Sequence, residues 1–249
     1  MMLNRKQLPL VAKLHNIDVD LTELLDHCQL NDLFNTKLYE DIKYSANSKH
    51  QKFLVSNEFN KTNFFVEETA PLMEGELYKQ LYLTDFDETK ASDKVVLKNT
   101  TIFERLKRLN PSSPQYLPEA DELNYGIRNH LVSGVIENLL NKFKSKVTRV
   151  RFAYLHSNFE IKPHVDYDPS YIMRYHIPLI TNSEVIMGFL DKDGEHKFNL
   201  PADGSVYFFN SGIKHWVKNN SNQGRIHLII DCHGQEDLVD YEIINEISK

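Results

Sequence analysis

Two stretches decide the reading: Phe152–Asp168, FAYLHSNFEIKPHVDYD, and Phe208–Asp231, FFNSGIKHWVKNNSNQGRIHLIID. The first holds His164-Val165-Asp166, a His-x-Asp pair whose side chains, at i and i+2, point to one side of an extended strand. The second holds His215, far enough along the chain to complete a set of two imidazoles and one carboxylate. Such a triad occupies one face of an octahedral metal and leaves positions open. It suits ferrous iron that must also take a co-substrate and dioxygen. Ten residues beyond His215 lies Arg225, a fixed cation able to grip a carboxylate through two parallel hydrogen bonds.

Outward from these stretches the pattern is β. Short runs rich in β-branched and aromatic residues predict strands at 148–155, 171–180, 184–190, 195–200, 205–209, 213–218 and 225–231. Turn residues separate them: Ser157-Asn158, Asp168-Pro169, Asp191 to Gly194, Ala202-Asp203-Gly204 and Asn219 to Gly224. Many short strands at nearly even spacing, after helical segments, predict an antiparallel sandwich or jelly roll with helices packed outside, an α+β chain that is mainly β. No linker composition precedes residue 148, so the expectation is one domain over 1–249. In that reading 1–147 supports the barrel, 148–235 is the jelly-roll core and 236–249 is a C-terminal tail.

Alternation along three of these strands gives each a cationic or imidazole face backed by an apolar one. Arg174 and His176 oppose Met173, Tyr175, Ile177 and Leu179; Arg225 and His227 oppose Ile226, Leu228 and Ile230; Arg151 and Ala153 oppose Val150, Phe152 and Tyr154. Two arrangements satisfy this. The polar faces can lie in water, or they can line a pocket inside the sandwich while helices cover the apolar faces. Seven of the 11 histidines fall between residues 156 and 233, which concentrates imidazole in the same region. For His156, His196 and His233 a structural role is expected, because a lone strand histidine is more often a satisfied packing residue than a ligand.

Towards the N-terminus, Asp20-Leu-Thr-Glu23 resembles a capping box, followed by Leu21, Leu24, Leu25 and Cys28 on one helical face. Runs at Phe53-Leu54-Val55, Phe64-Phe65-Val66 and Leu81-Tyr82-Leu83 predict short strands. Residues 84–118 are charged, then proline-rich, and read as a solvated loop or a flap over a site. From Glu119 to Lys146 the spacing of Leu123, Ile127, Leu131, Val135, Leu139 and Phe143 predicts a helix packed on the sheet, with Gly126 and Gly134 as weak points.

Bulk composition excludes several classes. A net charge of −6 gives no support for general nucleic-acid binding. No run of about 18 apolar residues is present to span a membrane. The opening MMLNRKQLPLVAKLHNIDVD is interrupted by charge and Asn before a signal-peptide core can form. Cys28 and Cys232 are far apart and form no CxxC, so a reducing, cytoplasmic setting is expected.

In order along the chain, FAYLHSNFEIKPHVD, RYHIPL, NSGIKHWVKN and GRIHLIID together resemble the aspartyl/asparaginyl β-hydroxylase family, a branch of the iron(II)- and 2-oxoglutarate-dependent oxygenases that includes bacterial free-proline hydroxylases. The resemblance covers about residues 148–235. It implies a double-stranded β-helix (jelly roll, cupin-like), with His164, Asp166 and His215 as iron ligands and Arg225 holding the distal carboxylate of 2-oxoglutarate. It also implies an R-x-H pair, Arg174 and His176, that contacts the co-substrate or the substrate. Asp166 is present where vertebrate peptidyl aspartate hydroxylases lack the ligand carboxylate, which places the chain nearer the bacterial members. Ala153 stands where those enzymes have a serine that helps hold 2-oxoglutarate. Arg151 stands where they place a substrate-contacting lysine, which makes it the candidate for an anionic group.

The activity implied is hydroxylation of an unactivated C–H in a carboxylate-bearing substrate, a free amino acid or a peptidyl residue, using Fe(II), 2-oxoglutarate and dioxygen. Two other classes share part of the pattern. A cupin-like metalloenzyme without 2-oxoglutarate would keep the triad but not depend on Arg225. A non-catalytic jelly roll would bind a small acid without turnover, yet has no need for two His and one Asp converging on one point.

Overall fold

The computed structural model describes residues 2–41, 78–90 and 121–247. The expected strands at 53–55 and 64–66, and residues 91–118 of the expected flap, lie outside the described residues. Within them the strands run β1 (Val11–Leu14), β2 (Glu40–Asp41), β3 (Tyr78–Tyr82), β4 (Thr84–Asp85), β5 (Ile127–Arg128), β6 (Lys146–Leu155), β7 (Phe159–His164), β8 (Met173–Ile180), β9 (Val185–Asp191), β10 (Gly194–Phe198), β11 (Tyr207–Phe209), β12 (Lys214–Asn219), β13 (Arg225–His233) and β14 (Tyr241–Ile243). Two helices accompany them, α1 (Leu21–Leu30) and α2 (Gly134–Leu140).

The strands form an eight-stranded sheet of order β14-β1-β11-β8-β13-β6-β3-β2 and a four-stranded sheet of order β10-β9-β12-β7, with β4 and β5 as a separate pair. Strands β6 to β13 pass back and forth between the two sheets, with β9 and β10 a hairpin within the smaller one, in the winding of a double-stranded β-helix, every pairing antiparallel. The segments outside this winding add to its larger sheet: β1 and β14 extend it beyond β11, and β3 extends it beyond β6. The expected C-terminal tail thus contributes a strand.

The larger sheet is buried on both faces. Its outer face carries Val150, Phe152, Met173, Tyr175, Ile177, Leu228 and Ile230, all within one apolar cluster with Leu24 and Cys28 of α1 and Ile136, Leu139 and Leu140 of α2. Fully burying a side chain of this kind contributes about 1.5–3 kcal/mol, so this face anchors both helices. A second apolar cluster, including Leu155, Phe189, Phe198, Tyr207, Phe209 and Val217, fills part of the space between the sheets. With the outer face covered by helices, the alternate residues of β6, β8 and β13 face the interior. The pocket arrangement left open by alternation is the one the chain adopts.

Helix α1 forms as its sequence predicts. Asp20 adopts an extended N-cap conformation and its carboxylate accepts from the Glu23 N–H at 2.9 Å. The helix expected over 119–146 does not form as one piece. Residues 122–124 make a single 3-10 turn, Ile127–Arg128 pair with β4, and only 134–140 are helical. Gly134, at φ +52, breaks the right-handed run. Asn129 ends it earlier, accepting from the Leu131 N–H and donating to the Tyr82 carbonyl. Ile127, placed on the expected buried stripe, is 50% exposed.

Candidate metal centre

The two histidines of the candidate triad face each other across neighbouring strands. His164 ends β7 and His215 lies near the start of β12, and the two are register partners with ring centroids 4.3 Å apart. Pro163 sits beside His164 without breaking the sheet because β7 is an edge strand, where a missing N–H is tolerated. The strand stops at His164, so the His-x-Asp pair is not wholly in a strand as expected. Asp166 is held instead by its own N–H donating to the Ser211 carbonyl at 2.9 Å. The side chains nevertheless converge: ligand atoms of His164, Asp166 and His215 all lie within 4.8 Å of one another.

The hydrogen bonds around the rings fix which atoms are free. His164 Nδ1 lies 2.7 Å from the Lys162 carbonyl and His215 Nδ1 lies 2.9 Å from the Ile213 carbonyl. A carbonyl can only accept, so each Nδ1 carries a proton and each ring presents its Nε2 to the centre. Those two Nε2 atoms stand 3.8 Å from the two carboxylate oxygens of Asp166. Burial, with His164 adding to it, pushes His215 down to about 3 and keeps it neutral. At Asp166 burial opposes the charge, but the nearby guanidiniums, Arg174 first and then Arg151, hold the carboxyl well below the usual carboxylate range. Two imidazoles and one carboxylate converging on one point are the donor set a divalent cation with open positions requires, and these residues fit one.

Behind the triad lies a buried ion-pair chain. Asp231, fully buried, receives Arg174 Nε at 2.8 Å on Oδ1, and Arg174 Nη2 at 3.2 Å and Arg151 Nη1 at 2.7 Å on Oδ2. Arg174 Nη1 in turn donates to Asp166 Oδ2. Arg174 was expected against a co-substrate or substrate, yet its guanidinium is already engaged by two acids. Arg151, the expected anion contact, is paired with Asp231 but keeps a buried Nε without a hydrogen-bond partner.

Arg225 is different. It is 2% exposed, and among the described residues no carboxylate pairs with it. Its Nη2 donates to His227 Nδ1 at 2.8 Å, and His176 Nδ1 approaches the same atom at 3.3 Å. Arg225 Nε, His176 Nε2 and His227 Nε2 are buried without partners. Burial lowers the Arg225 guanidinium to about 10, with Tyr78 opposing, and lowers both imidazoles, next most by way of Arg225. Because His227 Nδ1 accepts from Arg225, His227 Nε2 carries a proton, and a buried cation with two such unpartnered N–H donors, Arg225 Nε and His227 Nε2, is an anion receptor by its chemistry. Phe209 closes the space between this group and the triad, its ring 5.2 Å from His176 and 5.0 Å from His215.

His227 was placed beside Arg225 on the polar face of this strand, whereas Asp231 was not singled out in the sequence reading. The signal was available: Arg225, His227, Ile229 and Asp231 share one face of β13 by simple alternation. The three histidines expected to be structural all have protein partners: His156 with Ser157, His196 with Asp191 and Glu246, and His233 with the Tyr171 carbonyl. Cys28 and Cys232 are free and buried. Among the described residues no helix is long and apolar enough to cross a membrane.

Residues 127–234 match the family model of aspartyl/asparaginyl beta-hydroxylase, so the resemblance read from the sequence holds over that stretch. No curated protein matches the chain. Among solved structures, an oxidoreductase of the 2OG-Fe(II) oxygenase family from Burkholderia pseudomallei is 12% identical, with 91% of each chain covered and a TM-score of 0.35. A Pseudomonas putida prolyl-4-hydroxylase is 19% identical over 39% of this chain and 56% of its own, with a TM-score of 0.30. A cupin domain from Bordetella pertussis Tohama I is 17% identical over 37% of this chain and 88% of its own, with a TM-score of 0.28. At these scores the fold rests on the strand order and register given above.

Proposed function

We propose, taking the hydroxylase-family match over 127–234 as premise, that the protein is an iron(II)- and 2-oxoglutarate-dependent dioxygenase that hydroxylates an unactivated C–H of an amino acid or peptidyl residue. One observation carries this reading. The chain buries a cation with no acid partner among the described residues, Arg225, in the same interior as a two-histidine, one-carboxylate cluster. A metalloenzyme without an anionic co-substrate gains nothing from keeping that charge buried and unpaired.

His164 and His215 would bind ferrous iron through Nε2 and Asp166 through its carboxylate. Bound there with 2-oxoglutarate and dioxygen, the iron supplies oxidation of the substrate C–H, while 2-oxoglutarate goes to succinate and carbon dioxide. Arg225 neutralises the far carboxylate of the co-substrate and fixes its orientation. The near end we assign to His176, since Arg174 is engaged by Asp166 and Asp231. Phe189 and Phe209 exclude water from one side of His215. Arg151, through its free Nε, is the donor we assign to a substrate carboxylate.

The test is anaerobic reconstitution with iron(II), then succinate release on adding 2-oxoglutarate and air. Slow uncoupled turnover is expected in the wild type and lost in His215→Ala and Arg225→Ala. Tightly held zinc with no 2-oxoglutarate-dependent turnover would overturn the reading in favour of another cupin chemistry. Turnover of carboxylate substrates unchanged by Arg151→Ala would remove the substrate assignment alone.

A further inference from the structure

The ion-pair chain behind the triad contains an acid, Asp231, that has no role in the function proposed above. Its members are three ionised side chains in sequence: Arg151 on β6, Asp231 on β13 and Arg174 on β8. Register explains why they meet. Asp231 and Arg174 are direct partners on neighbouring strands, while Arg151 pairs with Ile229, two residues before Asp231 on the same face. Asp231 takes Arg174 side-on through both of its oxygens, which leaves Nη1 of that guanidinium pointing at Asp166. Arg151 holds the far side of the Asp231 carboxylate. Every rotatable group in the chain is therefore pinned by its neighbour, and Asp166 is the end of the line.

We infer that Asp231 is a positioning residue for the metal centre: acting through Arg174, it fixes the rotation of the Asp166 carboxylate and so its readiness to ligate. This rests on the metal-centre reading above. A carboxylate on a loop can turn about its last torsion and present either oxygen, or both, to a cation. With Oδ2 held by Arg174, the rotation is fixed before a metal arrives. Partners of this kind behind a ligand typically set metal affinity by about 10–100-fold. The arrangement also assigns Arg174 a task different from contacting a co-substrate, because a guanidinium shared by two buried acids has little left to donate.

The test measures divalent-metal affinity and the cobalt(II) absorption spectrum of the full chain, with the melting temperature of the metal-free protein alongside. In Asp231→Asn, affinity should fall by about 10–100-fold and the cobalt spectrum should change, reporting altered ligation by Asp166. In an Arg174→Gln background the same substitution should cost little more, because the path to Asp166 is already cut. Glu122→Gln supplies the control. It breaks a comparably buried pair, Arg149 Nη1 to Glu122 Oε1 at 2.7 Å, without touching Asp166. It should lower stability and leave the spectrum and affinity unchanged.

If Asp231→Asn does not fold, Arg174→Lys keeps the charge but loses the fork, and the same changes in affinity and spectrum are expected. Wild-type affinity and spectrum in Asp231→Asn would overturn the inference, as would an equal loss with and without Arg174 or, in the fallback, an unaltered Arg174→Lys. A wild type that binds no divalent metal would instead refute the metal centre itself.

Discussion

Replacing Arg225 by methionine should make the empty protein more stable and the loaded protein less so. Burial disfavours the charge of the guanidinium and lowers it from its ordinary value to about 10. A fall of that size corresponds to about 3 kcal/mol. The sign follows from comparing the two states. The folded value lies below the unfolded one, so folding disfavours the charged form. The cost is present in full below about pH 10 and fades only as pH rises from there through the ordinary guanidinium value. Methionine removes the charge, keeps an apolar stem of similar length and gives up the 2.8 Å hydrogen bond to His227 Nδ1. A hydrogen bond from a charged donor is worth about 2 kcal/mol, which leaves a net gain of about 1 kcal/mol. For a chain of 249 residues the gain corresponds to a rise in Tm of about 2–4 °C. Calorimetry at pH 7.5, read alone and then anaerobically with manganese(II) and 2-oxoglutarate, checks both halves. At a hundred times its Kd the co-substrate should stabilise the wild type by about 2.7 kcal/mol and the variant hardly at all, so the order of melting reverses. An empty variant that melts below the empty wild type would refute the reasoning on burial. A variant still stabilised by 2-oxoglutarate would refute the assignment of Arg225.

Two further outcomes follow from packing and charge. Gly188→Ala should destabilise the protein by about 1–3 kcal/mol, because an added Cβ would stand 2.1 Å from Trp216 Cε2, and Trp216 adjoins His215. The chain has one tryptophan, so a shift in its fluorescence should accompany the loss, and an unshifted spectrum at unchanged stability would count against it. His196 is raised by its hydrogen bond to Glu246, then by Asp191, and so holds the C-terminal segment best when protonated. Its contribution should be complete below about pH 6.5 and be lost as pH rises through the raised folded value. Amide-exchange protection at Ile247, whose N–H donates to the Lys197 carbonyl at 2.9 Å, should follow that course and flatten in His196→Gln; protection independent of pH would sink the idea.

Period-two alternation made β6, β8 and β13 legible, and with them the inward row of Arg151, Arg174, His176 and Arg225, because a strand carries its side-chain direction in its own sequence. The helix expected over 119–146 failed for the converse reason. Apolar residues four apart satisfy both a helical stripe and a chain that turns at Asn129, joins β4 at Ile127 and restarts at Gly134. Strands β1 and β14 are four and three residues long, and the partners that make them strands lie far away in sequence, β1 alone linking β14 to β11. Asp231 escaped notice because it closes HLIID, a run that reads as uniformly buried, and burial on both faces hides alternation.

That double burial is also what ties fold to function. Once α1 and α2 cover the outer face of β6, β8 and β13, every ionised residue on the inner face must find its counter-charge inside. Arg151 and Arg174 find theirs in Asp231 and Asp166, and Arg225 finds none among the described residues. Deleting the positive charge therefore improves the empty fold, whereas deleting Asp231 strips two buried guanidiniums of a partner. The two substitutions sit six residues apart on one strand face and should move stability in opposite directions. That opposition separates a charge kept for a ligand from a charge kept for the protein.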